Sequence, residues 1–261
     1  MPEADRPRRG LKVAIAGKGG VGKTTLAALL ARTAAARGYR VLAVDADPNP
    51  TLAPTLGYTA PIRPLAEEED LIYQRAGKEG LIKLNPTVDD IPDRFAVEHG
   101  GIRILVLGGI RGGGSGCACP ANSFLRALLR HLVLRPGETV IVDLEAGVEH
   151  LGRATAQGVD ALLVVVEPDV RTLETAARIQ ALAREIGLTR VYAVGNKLEG
   201  KLDEDFIRSS LPNDLPLIAT FPFSQEIRRA AWTGRLPEVS LPQVEEILTQ
   251  LEVSLSRQEI R

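Results

Sequence analysis

The chain has 261 residues, with 32 Lys+Arg against 33 Asp+Glu, so it is long enough for a large α/β core and nearly neutral at net charge −1. That balance argues against a general binder of nucleic acid or anionic membrane, and 4% aromatic residues leave little for broad base-stacking surfaces. No apolar run approaches the roughly 18–20 residues of a spanning helix, and Cys117 and Cys119 are the only cysteines, too few for a disulfide scaffold.

Met1 to Gly10 is charged and contains proline, so it reads as a short flexible arm and not as a secretory signal. Leu11-Lys12-Val13-Ala14-Ile15-Ala16 reads as a buried strand that runs into Gly17-Lys18-Gly19-Gly20-Val21-Gly22-Lys23-Thr24. Leu26, Leu29, Leu30, Thr33 and Ala34 then recur at helical spacing, and Gly38 stops that helix. Arg40 to Asp45 is a second strand, ending in Asp45-Ala46-Asp47-Pro48-Asn49. Pro50 to Val97 is richer in proline and charge and reads as an insertion within the domain. Ile102 to Leu107 is strand-like and enters a glycine-rich loop, Gly108 to Gly116. Phe124, Leu125, Leu128, Leu129 and Leu132 form a helical stripe, and Thr139 to Asp143 is a strand that ends in an acid. Ala161 to Val166 is a continuous apolar strand of the kind buried on both faces. A helix carrying Leu173, Ala176, Ala177, Ile179, Ala181 and Leu182 follows, then strands at Val191 to Val194 and Leu217 to Thr220. Val244, Ile247, Leu248 and Leu251 mark a closing helix. Strands alternating with helices predict an α/β fold: one domain over residues 1–261, with a mostly parallel, twisted sheet covered by helices on both faces.

Gly17 to Thr24 fits G-x-x-x-x-G-K-[ST] between a strand and a helix, which aims backbone N–H groups and a helix N-terminus at a phosphate. Lys23 is expected to reach the β/γ-phosphates, Thr24 to ligate Mg²⁺, and Thr25 to add a phosphate contact. Asp143, at a strand end, stands where a Walker-B carboxylate belongs; as a structural residue it would only shape a turn. Asp45 or Asp47 could orient or deprotonate an attacking water, Asp47 being preferred, while an Asx turn before Pro48 is the simpler role. Asn196-Lys197 offers an amide to a base edge, and Glu199 stands where an aspartate would make a guanine signature. Lys18 is a second lysine inside the loop, either solvated or reaching a phosphate elsewhere, as an arginine finger does across a dimer.

Cys117-Ala118-Cys119 supplies only two thiolates, whereas a closed zinc site takes four ligands. Two copies meeting on a two-fold axis would supply four, for Zn²⁺ or Ni²⁺. Gly112-Gly113-Gly114-Ser115-Gly116 beside them permits close backbone approach; small buried residues before a helix start at Pro120 are the plainer alternative. His131 is expected on a helix surface, His99 in a loop, and His150 near Asp143; Trp232 reads as a packing residue.

The Lys18-Gly19-Gly20-Val21-Gly22-Lys23-Thr24 run resembles the deviant Walker A of the SIMIBI ATPases, the class of the nitrogenase iron protein, MinD, the partition ATPases and the arsenite and tail-anchor ATPases. Within it, Asp45-Ala46-Asp47-Pro48-Asn49, Cys117-Ala118-Cys119 and the stretch from Asp143 to Arg153 resemble the CooC family, nickel-insertion ATPases of carbon monoxide dehydrogenase maturation. The resemblance implies that Lys18 contacts a partner's nucleotide, that Asp47 is the switch I catalytic acid and that Asp143 is the switch II acid near Mg²⁺. It implies further that Asn196 reads adenine and that Pro222-Phe223 flank the base, favouring ATP/ADP over guanine nucleotides. A cytoplasmic homodimer with Ni²⁺ or Zn²⁺ at its interface and carbon monoxide dehydrogenase as client follows from the same likeness; acetyl-CoA synthase maturation is a related possibility. The alternatives are a MinD- or ParA-like switch and an iron–sulfur ATPase. The segment after Asp143 holds no cysteine, unlike the nitrogenase iron protein, and the closing helix carries Glu245, Glu246 and Glu252, unlike a basic membrane tail.

Overall fold

The computed structural model describes residues 10–78, 81–108, 120–134, 137–145, 147–148, 151, 153–237 and 241–256. Its strands are β1 (Lys12–Gly17), β2 (Val41–Ala46), β3 (Gly77–Lys78), β4 (Leu81–Ile82), β5 (Val97–His99), β6 (Ile102–Val106), β7 (Thr139–Leu144), β8 (Ala161–Val166), β9 (Val191–Leu198) and β10 (Leu217–Pro222). Its helices are α1 (Lys23–Ala36), α2 (Leu52–Leu56), α3 (Glu69–Ala76), α4 (Ile91–Phe95), α5 (Pro120–Leu134), α6 (Arg153–Ala156), α7 (Val170–Glu185), α8 (Lys201–Ser210), α9 (Gln225–Thr233) and α10 (Pro242–Ser256).

Eight strands form one sheet in the order β10-β9-β8-β1-β7-β2-β6-β5. Every pairing is parallel except β5 with β6. The inner strands β1, β2, β7 and β8 are buried along their whole length, as expected when helices cover both faces. The alternation of side chains divides them: Val13 and Ile15 pack with α1 and α10 residues such as Leu30 and Leu248, while Ala14 and Ala16 face the layer holding Phe124 and Leu129. From β1 the chain crosses to β2 on one side, and from β7 it crosses to β8 on the other. The crevice outside the carboxyl end of β1 is therefore a topological switch point, where open α/β sheets bind ligands.

The segment from Pro50 to Val97, read as an insertion within the domain, packs into the shared core. Leu52, Leu65, Leu71, Ile72, Val88 and Ile91 are buried, and Ser123 Oγ donates to the Lys83 carbonyl at 2.6 Å, fastening the segment to α5. His99, expected in a loop, lies in the antiparallel edge strand β5, with its ring edge-on to Tyr58. Gly10, expected in the arm, is buried against the Glu138–Thr139 backbone. Trp232 does not pack: it is 78% exposed on α9. His131 lies on α5 as expected, half-buried, with Nε2 unpaired among the described residues. No described helix is long and apolar enough to cross a membrane.

Candidate nucleotide site

β1 delivers the chain to Gly17, and the loop wraps back to start α1 at Lys23. Gly17, Gly20 and Gly22 carry φ of +142°, +85° and +101°. At Gly22 a Cβ would collide with Asn196 Nδ2, so this close approach needs glycine. No side chain caps α1, which leaves its first-turn amides available to an anion. Lys18 is half-buried, and its ammonium has no partner among the described residues; Gly19 and Gly20 are exposed, Val21 is buried, and Thr24 and Thr25 lie at intermediate depth.

Lys23 is 7% exposed, and its Nζ donates to the Lys18 carbonyl at 3.3 Å. Burial holds its pKa below the ordinary lysine value, opposed by the nearby charges of Asp143, Asp47 and Glu145. Asp143 is 1% exposed and accepts a 2.6 Å hydrogen bond from Thr24 Oγ1 on Oδ2. Its Oδ1 has no partner among the described residues. Burial pushes the carboxyl up to about 7, with the Thr24 hydrogen bond acting the other way. An unpaired carboxylate oxygen beside a threonine hydroxyl is an oxygen donor set suited to Mg²⁺.

The acids at and just after the end of β2 differ in burial and partners. Asp45, directly beside Asp143 in the sheet register, is fully buried; its oxygens accept from the backbone N–H of Asp47, Thr51 and Leu52 at 3.1, 2.8 and 2.8 Å. It shapes the loop and starts α2, and burial raises its pKa against those hydrogen bonds. Asp47 is half-buried and accepts from Asn49 N at 2.8 Å, the expected Asx turn, yet it lies close enough to Lys23 and Asp143 to bias both charges.

Asn196 and Lys197 fall inside β9, longer than expected. Asn196 Nδ2 donates to the Val21 carbonyl at 2.8 Å, and its Oδ1 accepts from Lys197 N at 2.9 Å, so this amide braces the loop. Lys197 sits at φ 61°, where Nζ donates to the Gly20 carbonyl at 2.7 Å and pairs with Glu167 at 2.6 Å. Glu167 was not foreseen, although an acid directly after the apolar β8 run repeats the signal seen at Asp143. Glu199 is exposed and does not line the cavity described next.

A cavity of about 410 Å³ opens beside Gly20, Gly22 and Thr25, walled by Leu26, Leu29, Phe221, Pro222, Phe223 and Ile227, with Asn196, Arg228 and Gln243 as its polar rim. Pro222 and Phe223, expected to flank a base, are among the residues that line this cavity. Gln243 was also missed; no motif marks it. Cys117, Cys119, Glu149, His150 and the loop before Pro120 lie outside the described residues. Among the described residues no three His, Cys, Asp or Glu side chains gather as a metal site.

The model of the CobQ/CobB/MinD/ParA nucleotide-binding domain matches residues 12–237. The chain belongs to that family. It is a P-loop ATPase of the MinD/ParA/CooC type. Its relatives include the carbon monoxide dehydrogenase accessory protein CooC of Rhodospirillum rubrum, 40% identical over 232 residues that cover 86% of this chain and 88% of that protein. An uncharacterised ATP-binding protein of Methanocaldococcus jannaschii is also 40% identical over 232 residues, covering 86% and 90%. The fold matches MinD of Pyrococcus horikoshii complexed with Mg-ADP, at TM-score 0.64 and 18% identity over 96% of this chain and 97% of that one.

Proposed function

We propose that this ATPase is a nucleotide-gated metallochaperone of the cytoplasm, acting as a homodimer that carries a metal ion between its Cys117 and Cys119 pairs and assists nickel insertion into carbon monoxide dehydrogenase. The observation that carries the reading is one chain holding both a phosphate loop whose second lysine, Lys18, has no partner among the described residues and a single Cys-x-Cys pair. The chain-long identity to the carbon monoxide dehydrogenase accessory protein supports the client.

Lys23 and the first-turn amides of α1 would hold the β- and γ-phosphates of ATP. Mg²⁺ held by Thr24 and Asp143 would neutralise charge on those phosphates. Asp47 would orient a water and take its proton as the oxygen attacks the γ-phosphorus; the bond to the β–γ bridging oxygen then breaks and ADP leaves. Lys18 of a second copy would neutralise charge building on that oxygen. ATP shifts the population toward a closed dimer only through tighter binding to that form. Closure would bring four thiolates together, tetrahedral for Zn²⁺ or square-planar for Ni²⁺. Loss of the γ-phosphate would relax the switch loops and open that site.

The deciding measurement is metal content and molecular mass together, with and without a non-hydrolysable ATP analogue. One metal ion per nucleotide-bound dimer is expected, released on ATP turnover. A single subunit under saturating nucleotide and divalent ions overturns the reading, and anaerobic iron and sulfide in the purified protein would point to a cluster instead. The second reading is a MinD- or ParA-like switch on a surface partner, favoured by Arg228, Arg229 and Trp232 exposed together on α9. ATP-dependent pelleting with anionic vesicles or DNA would favour it.

A further inference from the structure

α9 turns the chain's one tryptophan toward solvent. Trp232 is 78% exposed, and Arg229 lies three residues before it, so the two side chains are neighbours on one helix face. Gly234, at φ +69°, ends the helix and brings Arg235 round to a cavity of about 410 Å³ that Arg229 also lines. Leu236 and Pro237 form apolar wall of that cavity. Both are tied down: Leu236 N donates to the Thr55 carbonyl at 3.1 Å, and Arg32 Nη1 donates to the Pro237 carbonyl at 2.7 Å. Arg75, Arg94 and Arg208 each pair with a carboxylate elsewhere on the surface. Arg229 and Arg235 are exposed, and their guanidinium groups have no partner among the described residues. Glu226 is the acid on the cavity wall, so two cations face one anion and the cavity stays positive.

We propose that this face of α9 docks an acidic segment of a protein partner: a carboxylate enters the cavity between Arg229 and Arg235, and an adjacent apolar side chain covers Trp232. The inference goes beyond the metallochaperone reading and does not depend on the metal. Charge complementarity selects the carboxylate, because a guanidinium fork matches its two oxygens. Trp232 adds apolar area that only an apolar partner group removes from water. Tryptophan and arginine are also the side chains that carry most of the binding energy at protein interfaces. A DNA duplex is the poorer fit. Binders of DNA make about 6–10 phosphate contacts, whereas this cavity offers two cations, and Glu226 repels a phosphate chain. A lipid surface calls for a broad apolar helix face, and Trp232 is the one large apolar side chain that α9 exposes among the described residues.

The test uses the full chain and the emission of Trp232, which is its whole tryptophan signal. The probe is a peptide of glutamates flanking one leucine, with glutamine and lysine versions for comparison, each titrated to about 1 mM. The glutamate peptide shifts Trp232 emission to the blue and shields it from acrylamide, less so as salt rises. The other two peptides bind roughly tenfold or more weakly. By anisotropy of the fluorescein-labelled glutamate peptide, Trp232→Ala and the double variant Arg229→Ala/Arg235→Ala each lose about tenfold or more in affinity. ATP turnover stays within about threefold of wild type in both. Absence of shielding in the wild-type chain overturns the proposal even if a variant fails to fold. So does a lysine peptide that binds as well as the glutamate one, or either variant that binds like wild type. Duplex DNA or anionic vesicles that shield Trp232 where the glutamate peptide does not also overturn it, and favour the surface-switch reading.

Discussion

Asp143 ends β7 with one oxygen on Thr24 and the other unpaired among the described residues, in a setting that pushes its carboxyl up to about 7. The sign of the consequence follows from linkage: between about pH 4 and pH 7 the folded chain keeps a proton that the unfolded chain releases, so this residue makes stability fall as pH rises through that window. Denaturation of the nucleotide-free protein is expected to show this decline, levelling above pH 7. In Asp143→Asn the slope is reduced, and stability at pH 8 rises by on the order of 2–4 kcal/mol, while ATP hydrolysis is lost. An Asp143→Asn protein no more stable than the wild type at pH 8 would contradict that account. Lys18 is the complementary case, a cation with no internal partner among the described residues. Lys18→Ala is expected to bind ATP within about threefold of wild type and to hydrolyse it roughly 10³–10⁵-fold more slowly. Turnover at the wild-type rate would show that Lys18 is only solvated.

At the scale of elements, the phosphate loop is a strand end, a run of glycines and an uncapped helix start held by β9. Gly22 is the tightest point, at φ +101° and pressed against the Asn196 amide. Gly22→Ala is expected to cost about 1–3 kcal/mol and to abolish nucleotide binding; isothermal calorimetry and thermal melts check both. On the same face α1 is tied to α10 through Arg37, whose guanidinium donates to Glu245 Oε2 at 2.6 Å and Glu252 Oε1 at 3.0 Å. These acids, read from the sequence only as unlike a basic tail, close the helical layer. Arg37→Ala is expected to lower stability by about 1 kcal/mol, since the partners are partly exposed, without changing Kd for ATP. The inner strands were readable because burial on both faces writes an unbroken apolar run. α8 was not singled out although Leu202, Phe206 and Ile207 fall at helical spacing, because only Ile207 of the three is buried and the other residues are mostly charged, so the segment offers no continuous core-facing stripe. α9 fails for the same reason, with Ile227 and Ala230 only half-buried.

For the whole molecule, the order of strands brings Asp143, Asp45 and the Gly17–Thr24 loop together at the carboxyl ends of the central strands, and β8, β9 and β10 bring Glu167, Asn196 and Phe223 to the other side of that loop. The proposed coupling of this nucleotide site to metal binding has a separable test. Cys117→Ser/Cys119→Ser is expected to keep nucleotide affinity within about threefold while metal stoichiometry drops to zero. Unchanged metal content in that double variant would place the metal elsewhere.

The amino-acid sequence by itself determined the α/β class, the phosphate loop, and the acids at the strand ends. Each of these rests on a local pattern: apolar runs set by burial, glycines set by positive φ, a lysine and threonine at fixed offsets. The partners of Asn196, the burial of Asp45 against the partial exposure of Asp47, and the presence of Glu167 and Gln243 were decided only by the tertiary structure. Those depend on which strands become neighbours and where α10 lands. Gln243 and Gly22 are 221 positions apart in the chain, and only the packing of α1 and α10 on one face of the sheet brings them to a common cavity.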